Sequence, residues 1–275
     1  MLDAVCSVLR CPLDAGTLTV AAAALECGSG HTFDVARQGY VNLLAGRAPA
    51  GADTPAMVAA RAELFDAGHL APLTAAIVAE LPDTLRLALD VGAGTGHHLA
   101  AVVDARPGSI GIALDISKAA ARRSARAHPA VGAMVADVWR RLPLADGCAD
   151  VVLDVFAPRH GSEFRRVLEP TGRLIVVTPT AEHLAELVGP LGLLAVDPEK
   201  ADRVRDSLGG SFEAVRRRRC RYRLALTRAH AAGFVAMGPS AWHTTPETLA
   251  GRLADWAEPV AVTVSVEVCV YRPRP

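Results

Sequence analysis

The stretch from Leu87 to Leu99, LALDVGAGTGHHL, determines the fold. Its first half is a short apolar run that predicts a buried strand, and Asp90 lies near the end of that strand. Glycines follow at alternate positions, at Gly92, Gly94 and Gly96. Glycine permits positive φ and lets the backbone approach a ligand closely, and a helix that starts after the loop offers unpaired N–H groups. The GxGxG spacing differs from the GxGxxG fingerprint of dinucleotide folds, so the loop alone indicates only a nucleotide-type ligand.

Short apolar segments recur on both sides of this loop and alternate with helical patterns. The predicted strands are Arg86–Val91, Ser109–Leu114, Ala133–Ala136, Ala149–Val155 and Arg173–Thr178, and the helices between them lie around 98–104, 118–127 and 162–168. This alternation predicts a mostly parallel sheet covered on both faces, that is, a Rossmann-like α/β fold. Two later segments, Cys220–Leu226 and Val260–Tyr271, predict an antiparallel pair at one edge of the sheet.

The N-terminal third of the chain has a different composition. Residues 1–45 are rich in turn formers and cysteine, and residues 46–56 are mostly glycine, proline and alanine. Apolar residues from Met57 to Leu81 recur at helical spacing. We therefore expect a small module over residues 1–45, a linker and helical segment over 46–85, and the α/β domain over 86–275.

Bulk properties narrow the class of protein. The 275 residues carry 29 basic and 29 acidic side chains, so no net charge draws the chain toward nucleic acid as a whole. No apolar run approaches the roughly 18 residues of a membrane span, and the first residues lack a signal-peptide pattern, so a cytoplasmic protein without a membrane partner is expected. Six scattered cysteines argue against a disulfide framework and make a metal site worth considering.

Acidic residues stand at the end of successive predicted strands: Asp90, Asp115, Asp137 and Asp154. The carboxyl ends of parallel strands are where open α/β sheets bind ligands. Asp115 is placed to accept hydrogen bonds from the ribose hydroxyls of an adenosine. Asp137 is placed to accept one from the adenine amino group. Any one of these residues could instead cap a helix. As an ordered set with the glycine loop they indicate an S-adenosylmethionine site, and hence a class I methyltransferase.

Longer strings carry a more specific resemblance. Those that match are Cys11–Leu44, Met57–Leu73, Leu114–Pro129, Ala136–Leu144, Val155–Arg159, Val176–Val188 and Ala236–His243. Together they resemble the 23S ribosomal RNA guanine-N1 methyltransferases, in particular the actinobacterial branch that confers resistance to tylosin-type macrolide antibiotics. The resemblance covers nearly the whole chain, and GHTFDVARQGYVNLL is its most specific part.

The resemblance implies an N-terminal zinc module with ligands spaced CxxC…CxxxH. Cys11, Cys27 and His31 fall on three of these positions, and Asp14 stands where the family has cysteine. Zinc accepts carboxylate oxygen, so a Cys-Asp-Cys-His site is chemically possible, with Cys6 as a substitute ligand. The alternative is a module that has lost its metal and folds by packing alone.

The resemblance also implies cofactor contacts beyond the acidic residues. Gly96 and His97 fall where the family's loop meets the cofactor, and Val138 beside Asp137 is assigned to the same site. His183 matches a family histidine near the cofactor, whereas Leu70 replaces a family aromatic residue.

The sequence leaves three classes of acceptor or role open. The first is N1 of a guanine in a 23S rRNA hairpin loop, with Asp154 receiving the proton and Arg159 stabilising charge on O6. The second is a small-molecule acceptor, and the third is a catalytically silent RNA-binding protein.

Several side chains could contact RNA. The aromatic residues Phe156, Trp139 and Trp242 are available to stack on bases. The basic stretch at Arg216–Arg219, Arg221 and Arg223 could track phosphates or be a solvated face balanced by acids such as Glu213. The family commonly forms homodimers, which the resemblance makes possible here.

Overall fold

The structure, a computed structural model, describes residues 2–46, 51–193, 207–242 and 244–274. Eleven strands are assigned in this part of the chain: β1 Leu18–Ala21, β2 Ala24–Cys27, β3 Thr32–Asp34, β4 Tyr40–Asn42, β5 Leu87–Val91, β6 Ile110–Asp115, β7 Val131–Val135, β8 Ala149–Val155, β9 Leu168–Pro179, β10 Phe212–Leu226 and β11 Val260–Pro273. The helices are α1 Leu2–Cys6, α2 Pro55–Asp66, α3 Ala71–Val78, α4 His97–Asp104, α5 Lys118–Ser124, α6 Gly161–Val167, α7 Ala185–Leu191, α8 Arg228–Ala236 and α9 Pro246–Leu253, with a 3₁₀ turn at Pro239–Trp242.

The large sheet has the strand order β10-β11-β9-β8-β5-β6-β7-β4. Strands β4 to β9 pair in parallel, and β11 pairs antiparallel with both β9 and β10. Every residue of β5 and of β7 is buried, as expected for parallel strands with helices on both faces. The predicted Rossmann-like fold with an antiparallel C-terminal edge is confirmed.

The first 45 residues contact the large sheet closely. Strands β1, β2 and β3 form a small antiparallel sheet. Leu9 makes an antiparallel bridge with Leu144, and the N–H of Arg10 donates to the carbonyl of Pro143 at 2.9 Å. Strand β4 pairs in parallel with β7 and so extends the large sheet. The division at residues 45 and 85 stays a prediction, but β4 joins the two parts through main-chain hydrogen bonds.

The continuous helical pattern from Met57 to Leu81 is two helices in the structure. Gly68 adopts a φ of +76°, its N–H donates to the carbonyl of Phe65, and the N–H of His69 donates to that of Leu64. A left-handed glycine with such bonds is the usual C-terminal stop of a helix, which is why α2 ends there. Thr54 caps the start of α2. Of the predicted linker, residues 47–50 lie outside the described residues, as does His243 of the matching strings.

The basic stretch lies on β10, the edge strand of the sheet, which starts at Phe212 rather than near Cys220. Alternate arginines of this strand point to opposite faces of the sheet, and acidic side chains pair with them on each face. The ion pairs are Arg216 and Arg218 with Glu80, Arg217 with Glu267, and Arg219 and Arg221 with Glu182. Balancing acids are therefore present, although none of these pairs uses Glu213, which the sequence suggested.

We expect Leu9→Ala to destabilise the whole protein and not the N-terminal module alone. Leu9 is fully buried in one apolar cluster that joins this module to residues of β6 and β7, so truncation leaves a cavity in a shared core. The expected loss is about 2–5 kcal/mol of unfolding free energy, in a single transition by denaturant melts. Leu13→Ala is the control, because Leu13 in the same module is 58% exposed. Separate melting of residues 1–45 in the Leu9 variant would contradict this expectation.

Candidate cofactor and acceptor site

The glycine loop after β5 needs glycine at each of its three positions. Gly92, Gly94 and Gly96 have φ values of +70°, +54° and +78°. A Cβ on Gly92 would lie 2.6 Å from the Cβ of Ala157, and one on Gly96 would lie 2.9 Å from that of Ser124. Positive φ and close neighbours together exclude larger side chains. The loop is therefore held against the segments after β8 and along α5.

Three carboxyl groups come together at the carboxyl edge of the sheet. Asp90, Asp115 and Asp154 are 2%, 8% and 0% exposed. Burial, and after it the nearby charges of Asp115 and Asp154, raises the pKa of Asp90 well above its usual range. Burial also raises the pKa of Asp115. Such crowding favours a ligand that brings positive charge, as a sulfonium and an ammonium group do.

Asp115 and Asp137 also make local bonds. The N–H groups of Gly94 and Ser117 donate to the two carboxylate oxygens of Asp115 at 2.9 and 2.8 Å. The N–H of Trp139 donates to Asp137 at 3.0 Å. Capping and ligand binding are thus compatible here, because each carboxylate oxygen accepts more than one hydrogen bond. By contrast, Oδ1 of Asp90 is buried and has no hydrogen-bond partner among the described residues.

Helix α4 begins with two histidines that contact α2 and α3. The ring of His97 stacks on Phe65 at 4.5 Å, and its Nδ1 lies 2.8 Å from the hydroxyl of Thr95. His98 meets the same phenyl ring edge-on. Burial lowers the pKa of His97, which therefore favours the neutral ring. Leu70, at the position of the family's aromatic residue, is buried in the core, and the aromatic ring that contacts the first residues of α4 is that of Phe65.

Sequence reasoning missed Arg61. Its guanidinium donates to Asp53 at 2.6 Å and to the carbonyl of Met237 at 2.7 Å. The same group covers the glycine loop, because a Cβ built on Gly94 would meet its Nη1 at 2.8 Å. No spacing rule connects these residues, which come from α2, the segment before it and the end of α8. Only the packing of the helices brings them to the loop.

The segment after β8 carries the proposed catalytic residues. Phe156 adopts a left-handed φ of +59°, a conformation that costs about 1–3 kcal/mol for a residue with a side chain. Its ring is 41% exposed and lies 5.8 Å from that of His183. Arg159 turns back so that its Nε lies 3.3 Å from the fully buried Asp154. The Nη2 atom of Arg159 is buried with no hydrogen-bond acceptor in the described part of the chain.

The four predicted metal ligands lie together. Nδ1 of His31 is 3.5 Å from Sγ of Cys11, 3.3 Å from Sγ of Cys27 and 3.3 Å from Oδ2 of Asp14. Zinc bonds of about 2.0–2.3 Å in a tetrahedron separate the ligand atoms by about 3.3–3.8 Å, so these distances fit zinc. Hydrogen bonds, first from the side chain of Ser29 and then from the N–H of Gly16, lower the pKa of Asp14, which is therefore a carboxylate. Cys6 is not a member of the cluster, since its thiol donates to the carbonyl of Leu18.

Comparison with solved structures supports the fold. The methyltransferase in the complex with the Haloferax volcanii Trm112 activator has a TM-score of 0.55 at 17% identity, covering 82% of this chain and all of that one. The Bacillus subtilis YcgJ protein has a TM-score of 0.50 at 16% identity, covering 74% and 98%. The sequence over residues 89–176 also matches the family described as a methyltransferase domain. The fold and the site define an S-adenosylmethionine-dependent methyltransferase of the Rossmann-like class.

Relatives over the full length give the particular family. Residues 9–47 match the N-terminal zinc ribbon of RlmA. The Streptomyces fradiae protein named 23S rRNA (guanine(748)-N(1))-methyltransferase is 50% identical over 97% of each chain. A Micromonospora griseorubida protein named as a 23S rRNA (guanine-N(1)-)-methyltransferase is 54% identical to this chain, over 96% of this chain and 97% of its own length. The chain belongs to the family of 23S rRNA (guanine-N1)-methyltransferases.

These relatives bear on the alternatives raised by the sequence. Proteins that match over nearly the whole chain carry rRNA methyltransferase names, so a small-molecule acceptor and a silent RNA-binding protein are not favoured. The part of the chain that the structure describes contains no helix that is long and apolar enough to cross a membrane.

We expect Gly92→Ala to abolish tight cofactor binding. The new Cβ would collide with Ala157, so the segment after β8 must move, and the positive φ adds strain of about 1–3 kcal/mol. Binding of S-adenosylhomocysteine by calorimetry should weaken by about 5- to 150-fold, which is the ratio of dissociation constants that corresponds to about 1–3 kcal/mol. Gly108→Ala is the matched control, since Gly108 has a φ of +90° but open space around it. Equal binding by both variants would show that close packing of the loop is not required.

We expect the N-terminal cluster to bind one zinc ion per chain. Cys27→Ser should lower the zinc content measured by mass spectrometry after gel filtration, because it removes a thiolate ligand. Asp14→Cys should resist a chelator for longer, since it adds a third thiolate to those of Cys11 and Cys27, and zinc binds thiolate more tightly than carboxylate. Cys6→Ser should leave the zinc content unchanged. Wild-type protein without zinc after refolding in zinc-containing buffer would contradict the assignment.

Proposed function

We propose that this chain transfers the methyl group of S-adenosylmethionine to N1 of a guanine in a hairpin loop of 23S rRNA. The observation that carries the proposal is the pairing of Asp154 with Arg159 at the end of β8. It sets a carboxylate beside a buried guanidinium that has an N–H without an acceptor among the described residues. A carboxylate and a guanidinium match the two groups on the Watson–Crick edge of guanine that must change during the reaction, N1–H and O6.

The acceptor chemistry explains both residues. N1 of guanine carries a proton with a pKa well above neutrality, and this proton must leave as the N1–methyl bond forms. In our proposal the carboxylate of Asp154 receives the proton. Arg159 donates to O6, where negative charge develops as the proton leaves. The products are 1-methylguanine, S-adenosylhomocysteine and one proton, which passes on to solvent.

S-adenosylmethionine, when bound, supplies an electrophilic methyl group. The residues proposed to hold it are Asp90, Gly92, Gly94, Gly96, His97, Asp115, Asp137, Val138 and His183. The orphaned, buried Oδ1 of Asp90 fits a cofactor with positive charge and hydrogen-bond donors, and Asp115 retains acceptor capacity toward ribose hydroxyls. Methyl transfer is an in-line displacement, so alignment and exclusion of water supply most of the catalysis.

The shape of the site suits an unstacked base. Phe156 exposes its ring beside His183, on the same turn that carries Arg159. Enzymes that act on a base in RNA reach it in loops and stack it on aromatic side chains. The guanine at position 748, for which the Streptomyces fradiae relative is named, is the first target to test. The proposal also includes three further properties: resistance to tylosin-type macrolides, a cytoplasmic location and assembly into a homodimer.

Labelled methyl transfer to a 23S rRNA hairpin transcript tests the proposed function. We expect label in the transcript, and its loss when the target guanine is replaced by adenine. Asp154→Asn should lower kcat by about 100-fold or more, which is the usual contribution of a positioned base. Arg159→Gln should cost a similar factor because it removes the donor to O6.

Asp83→Asn is the control, since Asp83 is exposed and precedes β5, at the end of this strand opposite to its carboxyl end. Calorimetric binding of S-adenosylhomocysteine separates a catalytic defect from misfolding of the Asp154 variant. Firm cofactor binding by the wild-type protein with no label in any 23S rRNA fragment would refute the proposal. Unchanged kcat in both site variants would refute the roles of the two residues.

A further inference from the structure

Trp139 exposes its indole ring beside the cofactor residues. The side chain is 62% exposed, more than any other large apolar side chain in the described part of the protein. Its backbone is fixed: the N–H bonds to Asp137, and the N–H of Arg140 donates to the carbonyl of Asp137 at 3.1 Å. The turn therefore holds the ring outward, and its nearest ring neighbour is His160, at 6.4 Å. Packing among the residues that the structure describes gives no reason for such a large apolar side chain at this place.

A cavity of about 370 Å³ adjoins the same turn. It lies between Pro12 of the N-terminal module, the segment after β4 and the turn that carries Arg140 and Arg141. These two guanidiniums are more than half exposed. Arg140 donates one N–H to the carbonyl of Ala45, and its Nε lies 3.7 Å from Asp137. Within the described residues, Arg141 makes a long contact of 3.5 Å with Asp146. Each arginine has five N–H donors, so both retain donors for an anion.

This surface lies between the two functional parts of the molecule. On one side, the carbonyl of Val138 is 3.0 Å from Nδ1 of His160, the residue that follows Arg159. On the other side, Pro143 and Ala145 bond to the backbone of residues 8 and 10, just before the metal cluster. The segment that carries Trp139 therefore contacts both the N-terminal module and the residue next to Arg159, so it is placed to meet an RNA strand that reaches both parts.

We propose that Trp139, Arg140 and Arg141 bind a nucleotide of the RNA loop next to the target guanine, with its base stacked on Trp139 and its phosphate against the two arginines. This inference rests on the proposed function and adds the residues that position the RNA. Stacking on an exposed aromatic ring tolerates any base, and guanidinium groups pair with phosphate. The surface thus contributes affinity and register, while the identity of the base is read at the catalytic pair.

The experiment measures RNA binding and turnover in the full-length protein with a 23S rRNA hairpin transcript. Trp139→Ala should raise both the Kd and the KM for RNA about tenfold, with little change in kcat or in binding of S-adenosylhomocysteine. Trp139→Phe, which keeps a ring for stacking, should recover most of the affinity. The double variant Arg140→Ala with Arg141→Ala should weaken binding most at low salt and reduce the slope of log Kd against log salt by about 0.7, the contribution of one phosphate on a single strand.

Arg122→Ala is the matched control for charge, because Arg122 is exposed on α5, away from this turn. Unchanged Kd in the Trp139→Ala variant, with methylation by the wild type intact, would overturn this inference and leave the proposed function standing. Loss of cofactor binding in that variant would assign Trp139 to the cofactor site, and an altered sedimentation coefficient with normal RNA affinity would assign it to a contact between protein chains. Either of these two results would also overturn the inference. Wild-type protein that binds the cofactor but neither binds nor methylates RNA would overturn both proposals.

Discussion

Close packing around the glycine loop is the constraint on which the rest of the site depends. Gly92 lies against the segment after β8, Gly94 beneath the guanidinium of Arg61, and Gly96 against α5. The contacts of Gly92 and Gly96 leave no room for a Cβ, and all three φ values are positive, which restricts the course of the loop. Because the loop is fixed, the strand ends that carry the acidic residues and the turn that carries Phe156 have defined positions relative to it.

Electrostatics follow from that geometry. Asp90, Asp115 and Asp154 would repel one another in a dry site, and burial raises the pKa of Asp90 and of Asp115. Three features offset this cost: backbone N–H groups on Asp115, the guanidinium of Arg159 on Asp154, and Arg61 close to the loop. A cofactor with a positive charge would offset the remaining electrostatic cost of these carboxyl groups. Burial raises the free energy of the ionised carboxyl groups. It also excludes the water that would otherwise weaken their interaction with a ligand.

The N-terminal module is integrated with the methyltransferase domain through the segment after β7. Residues 8 to 10 bond to residues 143 to 145 of this segment, which starts with Asp137 and Val138 and includes Trp139. Strand β4 adds a further strand to the same sheet. A metal that orders Cys11, Asp14, Cys27 and His31 would therefore act on the part of the surface that we assign to RNA, since both belong to one packed unit.

The sequence by itself determined the fold class, the cofactor and the family. Alternating apolar strands, a glycine loop and acids at strand ends are local patterns, and the register of a parallel sheet brings the strand ends to one edge without further information. The ligand set at the N-terminus was also readable, because turns place residues at short spacing close together. Tertiary structure alone decided the rest. Arg61 reaches the loop from a helix, Asp53 and Met237 support it, and Phe65 stacks on His97 at the start of α4. The arginines of β10 meet Glu80, Glu182 and Glu267 because strand pairing and helix packing select their partners. These contacts join residues far apart in sequence, and no local periodicity encodes which distant side chains will meet.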